Sequence, residues 1–401
     1  MRDVDLYRQI LGLPEPRSVT GVNLDLQAGR VEVRVSHPEG LRWACPQCGN
    51  ELAVHDHAPE RSWRHLDTCQ LQTVLQARVP RVNCPEHGVL QVKAPWAEAR
   101  GRFTALMERW IIDELQQCAT VSGACRLLRL SWDEVFGVME RAVRRGQMRK
   151  QPRILRQIGV DEKAFRKGHS YTTIVSDIER STIEHLANER TRQSLEEFYR
   201  SLTAPQRDGI EAVALDMWEP YIMATKAQLP EASRKIVFDR FHIMQHIGQA
   251  VDTVRKAEHR ALRALGDETL AGTKYLWLHS QENLTDSRRE QLSLLLDQNL
   301  KVARAWAIKE ALRRLWNYRR EGWARRYFAR WFYWATHSRL QPIRKVAHML
   351  KRRLDNIVTY CRLRITNAVA EGINSKLGYR NPEHFKIAAY FYCGGLDLYP
   401  S

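Results

Sequence analysis

Three acidic residues sit in three unlike settings: Asp161 in ILRQIGVDEKAF, Asp216 in IEAVALDMW and Glu371 in ITNAVAEGINSKL. The first two each close a short apolar run of the kind that forms a buried strand, and the third falls on a polar helix. Carboxylates are hard oxygen donors suited to magnesium or manganese. Two such ions about 3.5–4 Å apart activate an attacking oxygen and stabilise a leaving one in an in-line displacement at phosphorus. In that arrangement Asp161 bridges both ions, and Asp216 and Glu371 each hold one. Glu162, Asp177 and Asp239 compete for these roles; Asp177 lies inside a strand, where it can face solvent. Asp239-Arg-Phe-His242 is a second feature, because an acid and an imidazole three apart share one helix face. That pair can hydrogen-bond to each other, support a metal site or touch nucleic acid near a cut.

The elements needed to position these groups follow from the pattern. RILRQIGVDEKAF reads as a strand ending at Asp161, and SYTTIVSDI and TIEHLANER as two more, joined near Glu179 and Arg180. Thr191 caps a helix over RQSLEEFYRSL. IEAVALD is a strand ending at Asp216, WEPYIMATKAQL a helix and RKIVFD a further strand. Three consecutive strands followed by helix, strand, helix and strand is the order of a ribonuclease-H-like α/β core. In such a sheet the first and fourth strands are neighbours, which brings Asp161 to Asp216.

Between Asp216 and Glu371 lie 371 − 216 = 155 positions. The plain fold needs far fewer, so residues 243–360 are expected to form an all-helical insertion. Its segment ALRRLWNYRREGWARRYFARWFYWATHSRL mixes Arg with Trp and Tyr. Such mixtures stack on unpaired bases and grip phosphate, while Trp in a helical bundle also serves as core. The expectation is Trp mostly inside and Arg mostly toward phosphate, with His337, Arg339 and Lys345 as DNA contacts.

Ahead of the core, Cys45-Pro-Gln-Cys48-Gly and Cys84-Pro-Glu-His87-Gly are two matching knuckles. Each turn aims two ligands at one centre, and four N/S ligands suit tetrahedral, structural zinc. A redox CxxC motif is the rival, but it has no need of the second knuckle. RSWRHL and LQTVLQARVPRVN alternate like strands, as in a zinc ribbon. His55, His57 and His65 lie close in sequence and can replace a ligand, touch DNA or be solvated. Next, FTALMERWIIDELQQ, TVSGACRLLRL and SWDEVFGVMERAVRRG read as three short helices with tight joints, a helix-turn-helix pattern. Ser131 with Glu134 makes a capping box for the third. Arg141, Arg144 and Arg145 near its end can reach DNA phosphate or favour the helix C-terminus.

Charge agrees with a polyanionic partner: 63 basic against 46 acidic residues, net +17, pI near 9.7. No run of about 20 apolar residues exists to cross a membrane. The opening MRDVDLYRQILGLPEP carries acids and no apolar signal core. Cys69, Cys118, Cys125, Cys361 and Cys393 have no close Cys partner and read as reduced core residues of a cytoplasmic protein.

The runs GVDEKAFRKGHSYTTIVSD, LDMWEPY, VFDRFHIMQH, KYLWLHSQENLT and ITNAVAEGINSKLGY together resemble the ISL-three family of bacterial insertion-sequence transposases. The CPQCG…CPEHG ribbon and the helices after it resemble that family's head, so the likeness covers nearly the whole chain. It implies a DDE transposase with Asp161, Asp216 and Glu371 as its triad. Asp239 and His242 match the DxxH element of related enzymes with a helical insertion. The implied parts are N-terminal strands and zinc ribbon (1–98), helix-turn-helix (99–150), core (151–242), insertion (243–360) and the end of the core with the Glu371 helix (361–401). The implied activity is binding of terminal inverted repeats, then metal-dependent strand cleavage and transfer by a homodimer on double-stranded DNA in the bacterial nucleoid. A non-catalytic DNA-binding regulator and a structure-selective nuclease are the rival readings; the first needs no triad, and the second needs no paired DNA-binding modules.

Overall fold

The computed structural model describes residues 2–166, 170–367, 372 and 377–400, so Glu371 lies outside the described residues. The chain divides into two compact units: Met1–Lys150 with Leu396–Ser401, and Gln151–Gly395. Among the described residues no helix is long and apolar enough to cross a membrane.

The first unit opens with helix α1 (Asp3–Leu11) and strands β1 (Ser18–Asp25), β2 (Arg30–Ser36), β3 (Arg42–Ala44), β4 (Glu51–His57), β5 (Arg61–Arg64), β6 (Gln72–Ala77), β7 (Pro80–Cys84) and β8 (Gly88–Gln91). They form two four-stranded sheets, ordered β1-β2-β6-β5 and β3-β4-β7-β8. Alternation in RVEVRVS turns Val31, Val33 and Val35 inward, where they pack with Trp63, Leu75 and Val82. Three helices follow, α2 (Ala105–Gln117), α3 (Val121–Leu128) and α4 (Trp132–Arg149). Each starts on a hydroxyl: Thr104, Thr120 and Ser131 accept from the backbone N–H of Met107, Gly123 and Glu134. The Ser131–Glu134 capping box forms as the pattern predicts.

The end of the chain completes this unit. Leu398 is buried, and its carbonyl accepts two hydrogen bonds from Arg145, at 3.1 and 2.9 Å. The Tyr399 hydroxyl donates to Asp113 at 2.7 Å. A Cβ on Gly146 would lie 2.7 Å from the Leu396 Cβ, so only glycine admits the tail here. Residues 396–400 were expected to finish the catalytic core; they pack instead on the helices of the first unit.

Among the described residues the second unit holds one five-stranded sheet. Its strands are β9 (Gln157–Arg166), β10 (Ser170–Asp177), β11 (Thr182–Asn188), β12 (Ala212–Leu215) and β13 (Ile236–Phe238), in the order β11-β10-β9-β12-β13. The first three are antiparallel, and β9, β12 and β13 are parallel. Strand β9 runs through Asp161 to Arg166 rather than ending at the acid, because Asp161 to Arg166 keep pairing with β10. Around the sheet lie α5 (Arg192–Ser201), α6 (Ala204–Asp208), α7 (Glu219–Gln228) and α8 (Ala232–Lys235).

Helices then run from α9 (Arg240–Arg263) through α10 (Lys274–Leu278), α11 (Asp286–Leu296), α12 (Lys301–Arg313), α13 (Glu321–His337), α14 (Gln341–Arg352), α15 (Leu354–Val358) and α16 (Tyr360–Leu363). The last helix is α17 (Pro382–Cys393). Helix α9 is continuous across positions 242 and 243. Trp277, Trp306, Trp316 and Trp331 are buried in the helical stretch, whereas Trp323 and Trp334 are exposed.

Strand alternation divides the sheet into two faces. Ile158, Val160, Val213, Leu215, Ile236 and Phe238 join one core with the helical stretch. Each such fully buried apolar side chain contributes roughly 1.5–3 kcal/mol. The opposite face is small at its centre: Ala212, Ala214 and Val237 pack against Ile365.

Candidate active site and metal centre

Asp161 and Asp216 are brought together by register. Ala214 pairs with Gly159 on β9 and with Val237 on β13. Two residues further along each chain segment stand Asp161, within β9, and Asp216 and Asp239, one residue past the ends of β12 and β13. By alternation they share the face of Gly159, Ala214 and Val237. In an open sheet this is also where strand order reverses and ligands bind, between β9 and β12. Asp161 is 6% exposed, and one of its carboxylate oxygens accepts from the Glu162 backbone N–H at 2.8 Å. Asp216 accepts from the Met217 N–H, and His242 Nδ1 stands 3.9 Å from its other oxygen.

The Asp239–His242 pair does not close on itself. Asp239 caps α9: its Oδ1 accepts from the Phe241 N–H at 2.9 Å, and its own N–H donates to the Leu215 carbonyl. Its other oxygen is buried with no hydrogen-bond partner among the described residues. His242 instead faces Asp216.

The competing acids have other partners. Glu162, on the opposite face from Asp161, pairs with Arg190 at 3.1 Å; burial pushes its carboxyl up, with Arg190 opposing. Arg190 in turn lies over the Trp218 ring, and its carbonyl accepts from the Trp218 indole N–H. Asp177 does not face solvent: it ends β10, is 3% exposed and pairs with Arg153 at 2.9 Å.

Two described residues bracket the segment that holds Glu371. The Asn367 side-chain amide donates to the Val160 carbonyl at 2.9 Å, and Lys163 Nζ donates to the Leu377 carbonyl at 2.8 Å. Both anchors lie on β9, either side of Asp161. Nothing in the local pattern around ITNAV marks Asn367, whose partner is 207 positions away.

The zinc knuckles converge. Sγ of Cys45, Cys48 and Cys84 and Nδ1 of His87 all lie within 4.8 Å of one another. Cys48–Cys84 is 3.6 Å, Cys84–His87 3.5 Å and Cys45–His87 4.0 Å. A tetrahedral zinc with its usual bond lengths separates its ligands by about 3.5–3.8 Å, so the four fit the ion. Gly49 and Gly88, at φ 78° and 70°, supply the left-handed residue that closes each knuckle. His87 brings the Cys84 thiol down to about 6, toward the thiolate that zinc requires. Nearby, His65 is neither ligand nor solvated: it is buried, and its Nδ1 meets the Thr104 hydroxyl at 2.9 Å. His57 bonds to His37, and His55 is exposed. Cys69 is exposed in a turn at φ 50°, not in a core.

The three arginines of α4 separate. Arg141 pairs with Glu108, and Arg145 pairs with Glu98 and Glu108 and is 9% exposed. Both guanidinium groups serve the interior of the unit, because Glu108 is buried and must be neutralised. Arg144 is exposed. His337, Arg339 and Lys345 are exposed on and between α13 and α14, with His337 stacked on Tyr333.

A ribbon with a Cys3His cluster, a capped three-helix segment and a sheet with aspartates at its parallel strands are parts of a DNA-processing protein. Comparison with known families agrees. The model described as "Transposase" of the ISL3 (ISL-three) type matches residues 158–389. The "zinc-finger of transposase IS204/IS1001/IS1096/IS1165" matches 41–87, and the "Helix-turn-helix domain of transposase family ISL3" matches 92–143. The transposase for insertion sequence element IS1001 of Bordetella parapertussis is 28% identical over 363 residues, covering 86% of this chain and 88% of that one. The transposase for element IS1557 of Mycobacterium tuberculosis (strain CDC 1551 / Oshkosh) is 25% identical over 420 residues, covering 96% and 94%. The chain belongs to the ISL3 family of insertion-sequence transposases. Its helix-turn-helix domain binds DNA, and phosphoryl transfer on DNA is the activity this membership carries.

Proposed function

We propose that this transposase binds the terminal inverted repeats of its element, cuts the DNA strand at the element's end and joins the freed 3′-hydroxyl to target DNA. The observation that carries the reading is that Asp161 and Asp216 each lie two residues beyond the Gly159–Ala214 pair of the adjacent parallel strands β9 and β12. In the same reading residues 151–242 and 361–395 are a ribonuclease-H-like core, and 243–360 are a helical insertion. The strand order β11-β10-β9-β12-β13 supports that core. Glu371 completes the triad, which the anchoring of Asn367 and Leu377 on β9 supports.

Asp161, Asp216 and Glu371 would hold two magnesium or manganese ions, which neutralise charge at the reacting phosphate when bound. The aspartates offer hard oxygen donors, and the unpartnered buried oxygen of Asp239 beside them fits a supporting role there. No protein nucleophile is needed; the chain positions the DNA. His242 faces Asp216 and supports its orientation. The zinc ribbon docks DNA or holds structure and does no chemistry. Arg144, His337, Arg339 and Lys345 are the proposed DNA contacts. Two ends must be joined, so the working form is a homodimer on DNA in the nucleoid.

The test is strand transfer with purified protein, magnesium and labelled DNA bearing the inverted repeat beside the gene, with Asp216→Ala in parallel. Joined products that vanish in the variant establish the reading. Binding with no cleavage, equal in the variant, favours a DNA-binding regulator. Cleavage with no joined product favours a nuclease.

A further inference from the structure

Asp216 lines a pocket of about 490 Å³ whose other walls the chemistry above does not use. That volume lies within the range of about 300–1,000 Å³ typical of small-ligand sites. Its lining is mixed: Ile222 of α7, Phe238 of β13 and Met349 of α14 are apolar, and Asp216, Glu219 and His246 are polar. Its rim is cationic: Lys226 of α7 and Arg352 at the end of α14 both line it. Both are exposed, and neither is paired with a carboxylate among the described residues.

The rim is held in place by other groups. Arg353 pairs with Glu219 at 2.9 Å, tying the α14–α15 junction to the start of α7. The Asn356 amide donates to the carbonyls of Ser233 and Ile236 at 2.8 and 3.2 Å. Thus Arg353 and Asn356 hold the wall, while Lys226 and Arg352 keep their charges free. With Glu219 neutralised by Arg353, the apolar side chains beside two unpaired cations suit a nucleotide, the base or sugar against Ile222, Phe238 and Met349 and backbone phosphate at the cations.

We infer that this pocket takes a nucleotide of the DNA strand being cut, next to the scissile phosphate, with Lys226 and Arg352 as positioning residues on its phosphates. The inference rests on Asp216 marking the reacting centre, as proposed above. It gives the helical stretch a direct part in the reaction, because α14 supplies one side of the pocket.

The test uses the full chain and labelled duplex bearing the inverted repeat. Lys226→Ala, Arg352→Ala and the double variant are compared with wild type and with Arg288→Ala, an exposed cation on α11 outside the pocket. Each lost phosphate contact lowers the slope of log affinity against log salt by about 0.9. Single-turnover cleavage should then need several-fold more DNA for half-saturation, with a smaller drop in plateau rate. Lys226→Arg and Arg352→Lys should restore the slope. A double variant whose slope and half-saturation match wild type overturns the inference. If the wild type binds but does not cut, the catalytic reading fails, and the salt slope still decides the pocket.

Discussion

The Asn367 side-chain amide and the Val160 carbonyl are joined by a 2.9 Å hydrogen bond across 207 positions. The bond is possible because residue 159 has no side chain. A Cβ there would lie 2.2 Å from Asn367 Oδ1 and 2.8 Å from Ser176 Oγ. Both obstacles are side-chain atoms, so Gly159→Ala should displace Asn367 without breaking the strand. The expected cost is about 1–3 kcal/mol in urea unfolding, together with loss of DNA cleavage. Asn367→Ala, which removes this bond to the Val160 carbonyl, should behave alike. Wild-type stability and rate in both variants would show the bond to be idle.

Asp161→Asn and Asp216→Asn keep shape and remove charge. Cleavage should fall by at least about 10²–10³-fold, while affinity for inverted-repeat DNA stays within about twofold. The comparison is single-turnover cleavage against anisotropy. A variant that cuts at the wild-type rate would remove that aspartate from the triad.

Zinc removal should unfold the ribbon locally. Structural zinc contributes about 10–16 kcal/mol in small zinc domains. Cys84→Ser or a strong chelator should abolish metal content near one zinc per chain and open residues 41–91 to protease. Resistance to protease after complete zinc loss would contradict a structural role.

Acid should loosen the first unit through His65. Burial holds its imidazole down at about 4, and Arg64 adds to the effect. Its Nδ1 is hydrogen-bonded to the Thr104 hydroxyl, whose oxygen accepts from the Met107 N–H at the start of α2. The folded value lies below the unfolded value of about 6.5. The native state therefore favours neutral His65, and this stability is present above pH 6.5. It is lost as pH falls from about 6.5 toward 4, by up to roughly 3 kcal/mol. Unfolding midpoints across that window should drop in wild type and flatten in His65→Gln. An equal slope in both would assign the acid sensitivity elsewhere.

Arg144 and Arg145 should part company. Arg145→Ala leaves Glu108 buried with one partner fewer and should cost about 3–5 kcal/mol of stability. Arg144→Ala should leave the unfolding midpoint unchanged and lower the salt slope of DNA binding by about 1. The reverse pattern would reassign the two residues.

Local chemistry made much of this legible in the sequence. The two knuckles, the Ser131 capping box and the apolar runs ending near Asp161 and Asp216 each carry their signal within a few residues. The neighbouring positions of β9 and β12 followed from element order alone. What stayed hidden depends on distant partners. Arg145 looked like a phosphate ligand because Glu98, Glu108 and the Leu398 carbonyl, 253 positions away, cannot be read from its helix. Asn367 was invisible for the same reason. Strand β9 outlasted its apolar run because pairing with β10, not burial, sets its length.

The return of residues 396–400 to the helices that end at Arg149 has a consequence for synthesis. A ribosome adding about 5–20 residues per second releases the last piece of the DNA-binding half roughly 10–50 s after the rest of it. Until then Arg145 and Gly146 lack the segment that covers them. A nascent or prematurely terminated polypeptide therefore carries an unfinished DNA-binding half. Only a chain translated past residue 396 acquires the closed form, so the DNA-binding unit is finished after the transposase domain that interrupts it in sequence.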